Sequence, residues 1–389
     1  MLVKNVKICT MIGLVIEDGY IYIEGTTISK IGEMKHIEED LKGLNCGEII
    51  DGEDMTAYPG FVDAHCHIGL WEDSVGIEGE DGNEENNPVT PHLRAIDAIN
   101  PFDRCFHDAL EYGVTSVVVA PGSANPIGGQ VVAMKTAGHR VDNMLIKEPL
   151  AIKFALGENP KRVYGDKDEQ PSTRMTIAAE IRKQLQKAKR YMNEIDYAES
   201  DEEYDEPEYD VKCEALLPLL KKQIQAHFHA HRADDIFTAI RISKEFNLDY
   251  VIVHGTESSL ICDDIKEENT KLIIGPMLCD RCKVEMKNLD TKTPGVLSEE
   301  GLDIAICTDH PVIPIEYLSF CAALAAKDGM SKVDALKAIT INPAKICGLD
   351  DRIGSLEVGK DADIILFDED PLNIKVKPKV VIVNGKRKI

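Results

Sequence analysis

Between residues 58 and 345 the sequence alternates short apolar runs with helix-like stretches, and that alternation restricts the fold more than any other feature. The candidate strands are GFVDAHCH (60–67), TSVVVA (115–120), PLAIKFALG (149–157), KQIQAHFH (222–229), YVIVHG (250–255), KLIIGP (271–276) and DIAICT (303–308). Stretches with helical periodicity, such as ADDIFTAIRISKEF (233–246), lie between most of them. Such runs suit strands buried on both faces of a parallel sheet, whose crossovers are usually helices. Seven strands stand out and an eighth is indistinct. The pattern predicts an α/β fold, a (β/α)8 TIM barrel, with an open doubly wound sheet as the rival.

The two ends read differently from the middle and like each other. Residues 1–57 and 346–389 hold short β-rich runs, such as GLVIEDGYIYIEG and VVIVNGKRKI, the latter with an Asn-Gly hairpin signal. Each end is small for a core of its own. One β-sandwich domain composed from both termini is therefore expected beside a barrel domain over 58–345. Two segments break the alternation. Residues 70–100 are polar and loop-like, and they follow the first strand, which places them over the active face. Residues 199–210, ESDEEYDEPEYD, read as a solvated acidic insertion.

Composition excludes several classes. A net charge of −24 repels nucleic acid and anionic membranes, so neither is expected as a partner. The eleven cysteines are scattered through a long chain, which suits reduced thiols better than a disulfide framework. The opening residues resemble neither a secretory signal nor a spanning helix. A cytoplasmic enzyme with a small-molecule substrate is expected, with a symmetric homo-oligomer as the default assembly.

Polar residues recur where apolar strands end. His65 and His67 close the first run, Glu158 follows the third, His229 and His254 close the next two, and Asp309 follows the last. In a parallel barrel the catalytic groups sit at those C-terminal ends. A single histidine there is ordinarily a satisfied core residue, but four with two carboxylates are not explained as core. His65 and His67 are two apart on a strand, so both point to one face, the barrel interior. Imidazole with carboxylate suits a divalent metal, Zn²⁺ first, and also Mn²⁺, Fe²⁺ or Co²⁺.

AYPGFVDAHCH, HAHRADD, VIVHG, CTDHP and INPAKICGLDDRIGSLEVGKDADIILFD, in that order, resemble the amidohydrolase superfamily of metal-dependent hydrolases. The segment ALGENPKR adds a flavour of its imidazolonepropionase-like branch. The resemblance implies a distorted barrel plus the composite sandwich, and one or two metal ions per chain. It implies that His65 and His67 hold the first metal, and that His229 and His254 hold a second or complete the first. Asp309 would bind metal and act as general base. At the third strand many family members carry a carboxylated lysine and some a glutamate. Lys153 and Glu158 are the two candidates, and Glu158 is preferred because it follows Gly157 at the strand end.

The implied chemistry is hydrolysis of a non-peptide C–N bond, in a cyclic amide or an N-acyl compound, with a metal-activated hydroxide as nucleophile. Dipeptidase, N-acetyl sugar deacetylase and deaminase activities are alternatives within the family. Histidine rather than glutamate at 231 argues against deamination. A non-catalytic scaffold on the same fold is the alternative of another class, and retention of the full ligand set argues against it. Three residues are candidate substrate contacts: His231, same-facing with His229; Arg232, beside a strand end with Lys161 and Arg162; and Gln130, in the PGSANPIGGQ loop after Gly128 and Gly129. Basic groups at that face suit a substrate carboxylate. Cys279 and Cys282, in CDRC, read as an ordinary loop pair.

Overall fold

A computed structural model describes residues 1–201 and 205–389. Residues 202–204 of the acidic stretch lie outside the described residues. The rest of that stretch joins the helix Arg174–Ser200 to the helix Val211–Leu220, whose first turn is capped by the Asp210 carboxylate.

The middle of the chain forms one eight-stranded sheet, in chain order Phe61–Cys66, Val114–Val119, Ile127–Lys135, Leu145–Ala155, Gln225–Ala230, Tyr250–His254, Lys271–Ile274 and Ile304–Ile306. The first and last strands meet. The Asp309 N–H donates to the His65 carbonyl at 3.2 Å, and the His67 N–H donates to the His310 carbonyl at 2.8 Å. The sheet thus closes into a distorted TIM barrel. The distortion is a strand whose sequence reads in part as a loop: Ile127–Lys135 runs antiparallel to both neighbours, while every other neighbouring pair is parallel.

Alternation along these strands separates two sets of side chains. On adjacent strands Phe154 pairs with Phe228 and the rings stack at 4.7 Å. That contact contributes about 0.5–1.5 kcal/mol beyond its buried area. The positions between them, Lys153, His227 and His229, are buried and point to the opposite face, the barrel interior. One period-two pattern therefore builds the packed wall and the polar interior together.

The termini share a second sheet. Thr56–Pro59 pairs with Leu2–Cys9 on one side and with Ile364–Phe367 on the other. One buried apolar cluster takes Ile28 and Ile382 from strands far apart along that sheet, so it curves around a common core. Lys135, buried at the end of a barrel strand, binds Asp361 at 2.9 Å and also Asp363, which ties the two sheets. No helix among the described residues is long and apolar enough to cross a membrane.

Candidate metal centre

Four imidazoles and one carboxylate converge at the C-terminal mouth of the barrel. His65 Nε2 and His67 Nε2 lie 3.5 and 3.2 Å from Asp309 Oδ1. The His254 ring is centred 5.4 Å from that of His65 and 4.5 Å from that of His229. His231, just past its strand, joins them, with its ring 4.8 Å from that of His229. Ligand atoms of His65, His254 and Asp309 all lie within 4.8 Å of one another, as do those of His229, His231 and His254.

Hydrogen bonds fix which nitrogen faces inward. Nδ1 of His67 lies 2.7 Å from the Ala120 carbonyl, and Nδ1 of His254 lies 2.7 Å from the Gly275 carbonyl. Each must donate there, which leaves Nε2 with its lone pair toward the centre. Nδ1 of His231 likewise meets the Thr256 hydroxyl at 2.7 Å. His254 and Asp309 also hold left-handed backbone, φ 78° and 56°. Such conformations cost of order 1–3 kcal/mol each and cluster at functional sites.

Electrostatics favour ligand protonation states. Burial drives His65, His229 and His254 well below the usual imidazole range, so they are neutral at pH 7. Burial lowers His231 to about 4, with Glu285 opposing the shift and the Lys283 ammonium contributing to it, and Lys283 also depresses His229. Burial alone would raise Asp309. The His254 and His67 imidazoles and the Lys153 ammonium beside it outweigh burial and hold the carboxyl at about 2, ionised. Neither ring nitrogen of buried His229 finds a hydrogen-bond partner among the described residues. Each such orphan costs about 1–3 kcal/mol, and a cation would satisfy the nitrogen it binds. The donor set fits a divalent metal.

At the third strand, Glu158 and Lys153 are placed differently. Gly157, at φ 87°, turns the chain out of the strand, and Glu158 becomes the first residue of the helix Glu158–Gly165. Its main-chain N–H donates to Glu285 Oε2 at 2.8 Å, and its carboxylate is in neither ligand cluster. Lys153 is fully buried in the interior, its Nζ 3.0 Å from His65 Nε2, and burial lowers its ammonium to about 8.

Two candidate substrate contacts lie away from the cavity at the mouth. Arg232 is forked onto Asp234 at 2.9 and 2.8 Å, which occupies its charge. Gln130 is in the antiparallel strand, not a loop, and its N–H donates to the Leu93 carbonyl at 2.7 Å. Beside it a Cβ on Gly129 would lie 2.5 Å from Leu93 O, so the glycine serves strand-to-loop approach rather than a ligand.

Other residues were not singled out in the sequence. Asp63 sits two before His65, on the same strand face. It accepts the N–H groups of His65 and Thr308 and the Thr308 hydroxyl, joining the first barrel strand to the last. Its parity with His65 and His67 was the available signal. Buried Glu285 comes from the loop after the sixth parallel strand, with Oε1 3.8 and 3.9 Å from Nε2 of His229 and His231. A carboxylate therefore does stand beside His231, and histidine at that position does not by itself separate amide hydrolysis from deamination. The cavity holds about 310 Å³, at the small end for ligand sites. Trp71 and Asn83 from the 70–100 segment line it, as do Cys279 and Cys282. Gly122 makes room, because a Cβ there would lie 2.7 Å from the Trp71 ring.

A closed barrel whose strand ends present imidazoles and a carboxylate to one cavity is the architecture of metal-dependent hydrolases. The chain belongs to the amidohydrolase family, whose model matches residues 56–388. It is similar to the crystal structure of an amidohydrolase from Thermotoga maritima MSB8, at 42% identity and a TM-score of 0.94, covering 100% of this chain and 99% of that one. It is 28% identical over 366 residues to the amidohydrolase tasK of Hapsidospora irregularis, covering 87% of this chain but only 37% of that relative. An imidazolonepropionase from Alkaliphilus oremlandii is 22% identical over 401 residues, covering 91% of this chain and 85% of the relative.

Proposed function

We propose that the protein is a metal-dependent amidohydrolase that hydrolyses a non-peptide C–N bond in a cyclic amide or an N-acyl compound. The observation that carries this reading is the convergence of neutral, incompletely bonded imidazoles on the ionised Asp309. His65, His67, His229, His254 and Asp309 would hold the metal, with His231 completing the second cluster. Lys153 is a better third-strand ligand than Glu158. A buried amine lowered to about 8 is partly neutral at pH 7, and its nitrogen can add to carbon dioxide, losing a proton to give a carbamate. The donor set suits Zn²⁺ first, with Mn²⁺, Fe²⁺ or Co²⁺ compatible, one or two ions per chain.

A bound divalent ion would supply Lewis acidity toward a carbonyl oxygen and lower the pKa of water. The protein's own part centres on Asp309. Its ionised carboxylate accepts the proton of the attacking water and delivers it to the leaving nitrogen. His67, held by Ala120, presents its Nε2 3.2 Å from the carboxylate, so the two would share one ion. Trp71, Met286 and Val312 give the cavity an apolar part of its lining. Glu285 favours a second reading, deamination, because it places a carboxylate beside His231. Free cysteines throughout the chain support a reducing, cytoplasmic setting.

The test is a metal-reconstituted screen of lactams, hydantoins, N-acyl amino acids, dipeptides and aminopurines, with acid and ammonia release both followed. Amide or lactam opening without ammonia supports the main reading. Ammonia from aminopurines alone would replace it with deamination.

A further inference from the structure

The cavity that holds the candidate metal centre has one cationic side chain on its wall among the described residues, Lys283. Three other basic groups are already engaged. Arg232 and Arg174 are paired with Asp234 and Asp235, and Arg281 donates to the Leu289 carbonyl. Lys283 has no carboxylate within ion-pairing distance among the described residues, in a chain with a net charge of −24. Its Nζ instead donates to Asn159 Oδ1 at 2.7 Å, and Asn159 Nδ2 donates to Ser123 Oγ at 2.7 Å. The relay uses one ammonium N–H and leaves the others available. It also leaves the Ser123 hydroxyl proton free to donate. All three residues line the cavity.

We propose that Lys283, steadied by Asn159 and Ser123, is a clamp for a substrate carboxylate. The substrate class is then a small amide or lactam bearing one free carboxylate and an apolar group. The apolar part would lie against Trp71, Met286 and Val312. One uncompensated cation matches a single negative charge, and Asp280 in the same lining disfavours a dianion such as phosphate. The inference rests on the amidohydrolase reading for the bond that is broken, but the clamp itself can be measured without turnover.

Two matched pairs serve as probes: N-acetyl-L-leucine against N-isopentylacetamide, and 5-oxoproline against 2-pyrrolidinone. In each, the second compound is the first without its carboxyl group. Calorimetric binding and KM are measured on metal-loaded wild type, Lys283→Met and Lys283→Arg. A charge-assisted hydrogen bond predicts about tenfold or greater preference for the acid of at least one pair. Lys283→Met should erase that preference and raise KM by a similar factor, with kcat changed much less. Lys283→Arg should keep most of it. Equal binding of acid and carboxyl-free partner in both pairs, or a preference that survives in Lys283→Met, overturns the clamp. Hydrolysis of the carboxyl-bearing compounds with unchanged KM in Lys283→Met overturns the clamp and leaves the hydrolase reading standing. Carboxylate-dependent binding lost in Lys283→Met, with no C–N hydrolysis anywhere in the wider screen, upholds the clamp and overturns the hydrolase reading.

Discussion

Removing the Asp63 carboxylate should unfasten the barrel where its first and last strands meet. Asp63 is fully buried and accepts from His65 N–H at 3.2 Å, from Thr308 N–H at 3.2 Å and from the Thr308 hydroxyl. In Asp63→Ala the hydroxyl can rotate to another acceptor, but the two main-chain donors cannot. Each buried orphan costs about 1–3 kcal/mol, so the variant should lose about 2–6 kcal/mol. That is a large share of the roughly 5–15 kcal/mol that holds a protein folded. Asp63→Asn keeps one acceptor oxygen while turning an amide toward Thr308, and should lose about half as much. The assay is urea unfolding of metal-free protein at about pH 5, comparing midpoints at constant slope. A loss below about 1 kcal/mol in Asp63→Ala, or equal losses in both variants, would refute the reasoning.

The same carboxyl links stability to pH in the metal-free protein: burial raises it to about 7 in the folded state, so its contribution is complete below the unfolded value of about 3.9 and is lost as pH rises to about 7. Wild type should lose stability relative to Asp63→Asn across that window, and a constant difference would contradict it. Asp309→Asn should lower kcat by about 10²–10⁴ with secondary structure intact, as read by steady-state kinetics and circular dichroism. Intact-mass measurement should find a carbamate adduct on wild type that Lys153→Met lacks. Metal content should fall in Lys153→Met but hold in Glu158→Ala, and the reverse pattern would restore Glu158.

Much of the barrel could be read from the sequence because its strands are buried on both faces, so each is a continuous apolar run. Val114–Val119, buried throughout, is of this kind. The strand Ile127–Lys135 was harder, because its two glycines carry a loop signature. Gly129 lets Leu93 approach, a tertiary contact with no local pattern. The histidines and Asp309 were visible because polar residues at strand ends interrupt apolar runs. Lys153 against Glu158 could not be decided by position. Gly157 turns the chain, and whether a residue after such a turn points into the barrel depends on what packs there, here Glu285. Glu285 and Lys283 come from a loop without periodicity, so only the folded chain brings them to the site.

The central claim is that these side chains form a metal site. Its most direct test is the metal content of zinc-reconstituted, gel-filtered protein by inductively coupled plasma mass spectrometry, for wild type and His229→Ala. The account predicts about one or two zinc ions per wild-type chain and a clear loss in the variant. Wild type with well under one ion per chain, or undiminished metal in His229→Ala, would contradict it.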